Sequence, residues 1–252
     1  MRIATFNVFS GKSMSGDGVD PDAFSSAIAA LDADVLALQE VDRDQPRSGG
    51  HDLTALAAQS MGSRDHRFQP ALAGTPGTNW RRARQNEQAG TPLYGIALLS
   101  RFAVDSWRTI QLPWVRGPIP AWLSEDRRLA IVHEEPLVAL AARVLTPLGS
   151  LTVAATHLSY VQGLNAVHLR RLRHALRKEA DPVLLLGDLN LPGDWPTRLT
   201  RYRSLGGEPT YPADVPHRQI DHALLRGDFP APTGCTAVEL TISDHRALVV
   251  DW

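Results

Sequence analysis

Residues 183–194, VLLLGDLNLPGD, join a fully apolar run to an acid and an amide. A run of large aliphatic residues is typical of a strand that is covered on both faces. Asp188 and Asn190 follow at the carboxyl end of that strand. Polar groups at this position form either a turn or the floor of a functional site, and the rest of the chain has to decide between the two.

The composition is that of an ordinary globular protein, with 252 residues, 43% of them hydrophobic, and a formal net charge of -1. This near-neutral charge argues against a protein whose main role is to coat nucleic acid. The single cysteine, Cys235, excludes an intramolecular disulfide. The first residues lack the apolar core of a signal peptide, and no apolar run approaches the ~20 residues of a membrane span. We therefore expect one domain over residues 1–252, a cytoplasmic location and no obligate protein partner.

The hydrophobic periods indicate helices over residues 20–32, 51–62 and 161–179, with strands over most of the remainder. We expect a tight hairpin at Ser100 and Arg101, and a pair of strands at residues 128–135 and 136–147. The proline-rich residues 112–127 are expected to be irregular. Helices early and late in the chain, around runs of adjacent strands, favour an α/β fold in which sheet packs on sheet.

Polar residues recur at the ends of the predicted strands. They are Asn7, Glu40, His157, Asp188 with Asn190, Asp221, and Asp244 with His245. Each one alone is compatible with a turn or a solvated strand end. Their repetition is harder to explain by turns, because buried carboxylates need a partner or a cation. Oxygen ligands without a Cys/His cluster indicate Mg²⁺ or Mn²⁺ rather than structural zinc.

The ordered motifs resemble those of the endonuclease/exonuclease/phosphatase superfamily of metal-dependent phosphoesterases. The motifs are TFN, LQE, GIALLSR, THL, GDLN, IDH and SDH, and the resemblance runs from residue 2 to residue 252. Each motif is weak alone, but the full set in this order is specific. The resemblance implies a four-layer sandwich of two mostly antiparallel β-sheets, packed face to face with helices outside and an active site at one edge.

The resemblance also implies a metal site. Glu40 in LQE looks like the main ligand of Mg²⁺ (or Mn²⁺), helped by Asn7 in TFN. Asp244 in SDH resembles a ligand of a second metal ion or of a water molecule.

The remaining motif residues match positions that handle the phosphate. Asp188 and Asn190 would position the attacking water and the phosphate group. His245 would bind the scissile phosphate or act as the base, and Asp221 would fix its ring as a carboxylate fixes a histidine tautomer. His157 would donate to a phosphate oxygen or to the leaving group. Whether Asp188 or His245 takes the proton stays open.

Two segments, residues 73–92 and 112–127, are expected to be loops that face the substrate. Trp80 could stack on a base and Arg81 could clamp a phosphate, although a solvated loop explains the same charges. Tyr94 in YGIALLS is assigned to substrate binding with them.

The expected activity is divalent-metal-dependent hydrolysis of a phosphodiester or phosphomonoester, most simply by a nuclease-like phosphodiesterase with nucleic acid as a candidate substrate. One alternative is a hydrolase of a phosphorylated lipid or small molecule, similar to sphingomyelinases or inositol phosphatases. A histidine in THL occurs in deoxyribonuclease-like branches as well as in those two. A catalytically silent binding module on the same fold is the second alternative, and the intact set of motif residues counts against it.

Overall fold

The computed structural model describes residues 1–13, 18–123 and 128–252, with only the backbone at residues 122 and 123. This part of the chain contains four α-helices: α1 (Pro21–Leu31), α2 (Leu53–Met61), α3 (Leu164–Leu176) and α4 (Trp195–Thr200). Its strands, in chain order, are β1 (Arg2–Asn7), β2 (Val35–Arg43), β3 (Asp65–Thr75), β4 (Asn79–Arg82), β5 (Leu93–Ser100), β6 (Val104–Gln111), β7 (Pro118–Leu123), β8 (Arg128–His133), β9 (Val138–Thr146), β10 (Gly149–His157), β11 (Val183–Asp188), β12 (Arg203–Ser204), β13 (Asp221–Arg226), β14 (Gly234–Val238) and β15 (Ala247–Asp251).

The strands form two large sheets. The first has seven strands in the order β14-β15-β1-β2-β5-β3-β4, and the second has six in the order β12-β13-β11-β10-β9-β6. Each sheet contains one parallel pair, β1 with β2 and β10 with β11, and the other neighbours are antiparallel. A parallel pair needs a long crossover, which is supplied by α1 in the first sheet and by α3 in the second.

Apolar side chains fill three layers between and around the sheets. One cluster lies between the two sheets and includes Ile3, Val153 and Leu184. A second covers the first sheet with α1 and α2, and a third covers the second sheet with α3. The predicted sandwich of two mostly antiparallel sheets with helices outside is therefore confirmed.

The first two helices begin and end where their sequences indicate. Asp20 accepts hydrogen bonds from the backbone N–H groups of Asp22 and Ala23, and Pro21 occupies the first helical position of α1. Asp52 caps α2 in the same way, and Gly62 ends that helix with a φ of 64°. Both helices thus satisfy part of their terminal backbone groups locally, before they pack on the sheet.

Two local predictions are wrong, and a third is wrong in part. In the segment expected to be irregular, residues 112–117 form no helix or strand, but residues 118–123 form β7, which pairs with β8 as a separate two-stranded sheet. Residues 124–127 of that segment lie outside the described residues. Proline is tolerated in β7 because an edge strand has N–H groups that no neighbour needs. The turn at Ser100 and Arg101 does not close a hairpin, because β5 lies in the first sheet and β6 in the second. For the same reason residues 128–135 and 136–147 do not pair: β8 pairs with β7, while β9 lies between β6 and β10.

Within the described ranges, no helix is long and apolar enough to cross a lipid bilayer.

Candidate active site

The parallel pairs of the two sheets pack on each other, so their carboxyl ends meet at one edge of the sandwich. In the second sheet His157 pairs in register with Asp188, and Asp188 pairs with Asp221 on the next strand. Asn7 ends β1 opposite them, and its Nδ2 lies 3.2 Å from Asp188 Oδ2. The polar residues that end these strands therefore gather from both sheets.

Glu40 reaches this edge through a β-bulge. The pairing of β2 with β5 shifts register between Leu38 and Val41, and Glu40 has a φ of +56°. Bulges of this kind redirect a side chain and are frequent beside active sites. The Nδ2 of Asn7 donates to Glu40 Oε1 at 2.9 Å, so one amide holds Glu40 and Asp188 together.

The GDLN motif forms a tight turn at the end of β11. Gly187 has a φ of +144°, and a Cβ there would lie 1.9 Å from the carbonyl oxygen of Thr156. This glycine lets β10 and β11 approach closely just before Asp188. Asp188 Oδ1 accepts the backbone N–H of Asn190 at 2.9 Å, and Asn190 itself has a φ of +50°.

Asn190 and His157 are held side by side. The Nδ2 of Asn190 donates to the carbonyl of Leu158 at 2.9 Å and lies 3.3 Å from His157 Nε2. His157 Nε2 is also 3.5 Å from Asp188 Oδ2. The three side chains thus form one connected polar group, fixed by the backbone that carries them.

His245 is oriented by Asp221. His245 Nδ1 lies 2.9 Å from Asp221 Oδ2, which confirms the predicted contact, and the same oxygen accepts the hydroxyl of Thr210 at 2.6 Å. With Nδ1 bound in this way, Nε2 lies 3.8 Å from Asp188 Oδ2. The ring of Tyr211 packs against the imidazole at a centroid distance of 4.9 Å.

Ser243 anchors the SDH motif to the end of β1. It has a φ of +74°, its hydroxyl donates to the carbonyl of Asn7 at 2.6 Å, and the same Oγ accepts the N–H of His245 at 3.0 Å. The neighbouring Asp244 has a buried Oδ1 with no hydrogen-bond partner among the described residues. An acceptor in that state is a candidate for a ligand that supplies a proton or a positive charge.

A cavity of about 290 Å³ opens over this group. It brings together seven of the residues selected from the sequence: Glu40, Tyr94, His157, Asp188, Asn190, Asp244 and His245. Asn7 and Asp221 do not line the cavity, but each contacts a residue that does.

Burial dominates the electrostatics of the acids around the cavity. Burial, and then the charge of Asp221, raise the pKa of Asp188. Burial likewise raises the pKa of Asp244, with Glu40 adding to the effect, and burial raises the pKa of Glu135. Each of these carboxyl groups is therefore harder to ionise than a free one, and a bound cation would remove that penalty.

In the His245–Asp221 pair, by contrast, the pKa shifts favour the charged form of each residue. Burial opposes a charged imidazole, but the charge and hydrogen bond of Asp221, followed by Asp188 and Asp244, outweigh it and raise the pKa of His245 to about 10. Burial also disfavours a charged Asp221, yet His245 and the hydroxyl of Thr210 lower the pKa of this carboxyl. The predicted direction for His245 is confirmed.

Two of the expected substrate residues lie elsewhere. Trp80 packs on Trp114 at a centroid distance of 5.9 Å, and Arg81 forms a 2.6 Å ion pair with Glu87. Neither is among the described residues that line the cavity. Within the expected loop, residues 83–92 form no helix or strand, but β4 pairs with β3 and places Trp80 and Arg81 at the sheet edge.

The sequence interpretation missed Glu134 and Glu135, which line the cavity on the connection from β8 to β9. Glu134 is buried and its Oε1 has no hydrogen-bond partner among the described residues, while the backbone N–H of Gly77 donates to Glu135 at 2.8 Å. The available signal was the pair of acids before Pro136 in HEEPL. Charged residues between strands usually indicate a solvated loop, which is why this signal is weak.

Two sets of side chains could hold a metal ion. The ligand atoms of Asp188, Asp221 and His245 lie within 4.8 Å of one another. In that set Asp221 Oδ2 accepts two hydrogen bonds, while Asp221 Oδ1 is buried and has no hydrogen-bond partner among the described residues. The acids Glu40, Asp188 and Asp244 line the cavity itself, and Asp244 Oδ1 has no partner among the described residues. Carboxylate oxygens in this arrangement suit Mg²⁺ or Mn²⁺.

Solved structures with the same fold come from several bacteria. An endonuclease/exonuclease/phosphatase from Beutenbergia cavernae has a TM-score of 0.71 at 21% identity, over 99% of this chain and 70% of that one. The mannosyl-6-phosphatase Bt3783 of Bacteroides thetaiotaomicron has a TM-score of 0.64 at 12% identity, over 100% and 98%. Sphingomyelinase C from Streptomyces griseocarneus has a TM-score of 0.60 at 17% identity, over 99% and 98%. No curated protein matches the chain in sequence.

The sequence model of one family covers nearly the whole chain. It is described as the Endonuclease/Exonuclease/phosphatase family, and it matches residues 4–245. Members of this family hydrolyse phosphoester bonds and generally depend on a divalent metal. The match includes every strand end that contributes to the cavity, and this chain belongs to the Endonuclease/Exonuclease/phosphatase family.

Proposed function

We propose that the chain hydrolyses a phosphodiester or phosphomonoester bond with the help of Mg²⁺ or Mn²⁺. The observation that carries the proposal is the convergence of Glu40, Asp188 and Asp244 with two histidines in one cavity. The presence of all the motif residues also supports an enzyme over a catalytically silent binding module. In the nuclease-like form of the proposal, a water molecule attacks phosphorus in line with the leaving group.

The residues fit the metal that the family implies. Glu40 and Asp244 would be its ligands, with Asp188 close by, and the unpartnered Asp244 Oδ1 and the raised pKa values are the properties that a cation would relieve. When bound, the cation supplies positive charge to the phosphate oxygens and to the attacking water. Asn7 would contribute by holding Glu40 and Asp188 together through its amide.

Asp188, Asn190 and His157 are proposed to position the reactants. The backbone N–H of Asn190 fixes Asp188 Oδ1, which leaves Oδ2 facing the two histidines. Oδ2 can therefore orient a water molecule and accept its proton. The amide of Asn190 and the ring of His157 lie beside it and can donate to phosphate oxygens, which replaces random encounters by a fixed geometry.

His245 is proposed to donate rather than to accept. A pKa raised to about 10 keeps its imidazole protonated at neutral pH. Because Asp221 binds Nδ1, the N–H at Nε2 is the one available to a phosphate oxygen, where it opposes the negative charge that grows in the transition state. This assignment favours Asp188 over His245 as the proton acceptor.

A second candidate function is hydrolysis of a small phosphorylated molecule rather than of a nucleic acid chain. Five carboxylates line the cavity: Glu40, Glu134, Glu135, Asp188 and Asp244. Arg218 is the only lysine or arginine among its described lining residues. Flanking phosphates of a polynucleotide would be repelled there, whereas binding along nucleic acid ordinarily relies on a basic groove.

A substrate panel tests both candidate functions. Plasmid DNA, RNA, single strands, bis-p-nitrophenyl phosphate, inositol phosphates and sphingomyelin are each incubated with Mg²⁺, with Mn²⁺ and with excess EDTA. We expect metal-dependent release of product from at least one class and none in EDTA. Full activity in EDTA, or no hydrolysis of any phosphoester with either metal, would contradict the proposal.

A further inference from the structure

A second cavity, of about 390 Å³, opens beside the first. The two share Tyr160, Asn190 and Arg218, so a molecule whose phosphate occupies the first can extend into the second. Its volume lies in the range of pockets that bind small molecules. We call it the Trp195 cleft, after the aromatic residue at the start of α4. The described lining residues are Tyr160, Gln162, Gly163, Asn165, Ala166, Asn190, Leu191, Pro192, Trp195 and Arg218.

The cleft presents two exposed aromatic side chains. Trp195 is 52% exposed and Tyr160 is 57% exposed, although most aromatic side chains of such size are largely buried. Both lie in the wall of the same cleft. Aromatic faces that stay open to solvent are suited to stacking on a planar ring.

Hydrogen bonds of Asn165 join the wall between the cleft and the candidate active site. Asn165 is buried, its Nδ2 donates to the carbonyl of Asn190 at 2.8 Å, and its Oδ1 accepts the N–H of Ala166 at 2.8 Å. The GDLN turn continues through Leu191 and Pro192 directly into the cleft. The distance from the phosphate position to the aromatic wall is therefore set by the backbone that also positions Asn190.

The charge and polarity of the cleft differ from those of the first cavity. None of its described lining residues is acidic, and Arg218 lies at the junction of the two cavities. Amide side chains line it together with the aromatic rings. A polar heterocycle offers this polar wall hydrogen-bonding edges as well as flat faces for the aromatic rings, and a lipid chain offers neither.

We infer that the Trp195 cleft binds the base of a nucleoside phosphoester while its phosphate occupies the neighbouring cavity. This inference rests on the proposed function and narrows it to a small substrate with one nucleoside rather than a polynucleotide. Trp195 stacks on the base, Tyr160 closes the cleft on the side of the first cavity, and neither takes part in bond breaking.

The kinetic test compares two chromogenic diesters with the same leaving group, thymidine 5′-(p-nitrophenyl phosphate) and methyl p-nitrophenyl phosphate. Trp195→Ala should lower kcat/KM on the thymidine ester by about 10-fold or more, as expected for the loss of one base-stacking contact. Its effect on the methyl ester should stay within about 2-fold, and Trp195→Phe should recover most of the lost activity. Leu145→Ala, which removes an exposed side chain outside both cavities, is the control.

Equal losses on the two esters, or no loss on either, would overturn the inference. A wild-type protein that hydrolyses neither ester would count against the proposed function, and the cleft is then tested by binding alone. Isothermal titration of thymidine 5′-monophosphate in the presence of Mg²⁺ should show affinity weakened about 10-fold or more by Trp195→Ala and unchanged by Leu145→Ala. Equal affinity of wild type and Trp195→Ala would overturn the inference without reference to catalysis.

Discussion

Replacing Asp221 by asparagine should release His245 from its charged state. Asp221 Oδ2 lies 2.9 Å from His245 Nδ1 and accepts the Thr210 hydroxyl at 2.6 Å, so an amide of the same shape can stay in place while the negative charge is lost. Burial, which disfavours the charged imidazole, is then opposed only by the charges of Asp188 and Asp244. The pKa of His245 should fall and the ring should become neutral near physiological pH.

The size of the effect follows from the wild-type value. A pKa raised from 6.5 to about 10 corresponds to about 4–5 kcal/mol in favour of the charged imidazole. Asp221 is the leading source of that preference, ahead of Asp188 and Asp244. Without its charge, burial is opposed only by Asp188 and Asp244, so most of this preference should be lost and the pKa of His245 should fall.

The pH dependence of the protein's stability should reflect the same two residues, His245 and Asp221. Because the folded-state pKa of His245 is raised above 6.5, its contribution is complete below that pH and is lost as pH rises through about 10. Because the pKa of Asp221 is lowered from 3.8, the contribution of its carboxylate is lost in acid, as pH falls below that value. The difference in unfolding free energy between wild type and Asp221→Asn should therefore be largest at about pH 4–6.5 and should shrink toward pH 10.

Histidine NMR titrations in EDTA measure the pKa directly, and the His245 signal is identified by its absence from His245→Gln. Asp194→Asn makes the same charge change at an exposed carboxylate that pairs with Arg198, and it should leave the pKa of His245 unchanged. The reasoning would be refuted by a wild-type His245 pKa near 6.5, or by a change of less than about 0.5 in Asp221→Asn.

Gly187→Ala should lower the free energy of unfolding in urea by at least about 3 kcal/mol, because the added Cβ would meet the backbone of β10. Gly149→Ala is the control, since Gly149 also has a positive φ but has open space around it. An equal loss in both variants would contradict the prediction. Ser243→Ala should lower kcat by about 10-fold or more, because its hydroxyl links the SDH motif to the end of β1. It should also lower the melting temperature, because two buried backbone groups lose their partner, and an unchanged kcat in the folded variant would remove Ser243 from the positioning network. The sequence hypothesis that Trp80 and Arg81 bind substrate predicts a raised KM in the double alanine variant with an unchanged melting temperature. Their packing at the edge of β4 predicts the reverse, and measuring both quantities decides between them.

The polar strand ends of the candidate site could be predicted because several signals coincide at each of them. Asp188 follows an apolar run long enough to fix a buried strand, and its motif resembles one of a known family. A crossover helix makes β10 and β11 parallel and so brings their carboxyl ends to the same edge, where His157 pairs with Asp188. The contact of His245 with Asp221 was likewise expected from two motifs near the end of the chain.

The features that could not be predicted depend on contacts between distant segments. A two-residue turn looks the same whether the flanking strands pair or part into different sheets, as β5 and β6 do. Thr210 and Ser243 are small hydroxyl residues whose roles appear only once their partners are placed. Trp80 and Trp195 both stand beside arginines or prolines in polar segments, and only the packing on Trp114 separates the first from the second.

The central claim is that a divalent metal bound by Glu40 in this cavity drives phosphoester hydrolysis. Its most direct measurement is anomalous diffraction from crystals soaked in Mn²⁺, for wild type and for Glu40→Gln, which removes the charge but keeps the shape. The account predicts a Mn²⁺ peak within bonding distance of Glu40 that is lost or strongly reduced in Glu40→Gln. A peak only at another position, or one of unchanged strength in Glu40→Gln, would contradict the account.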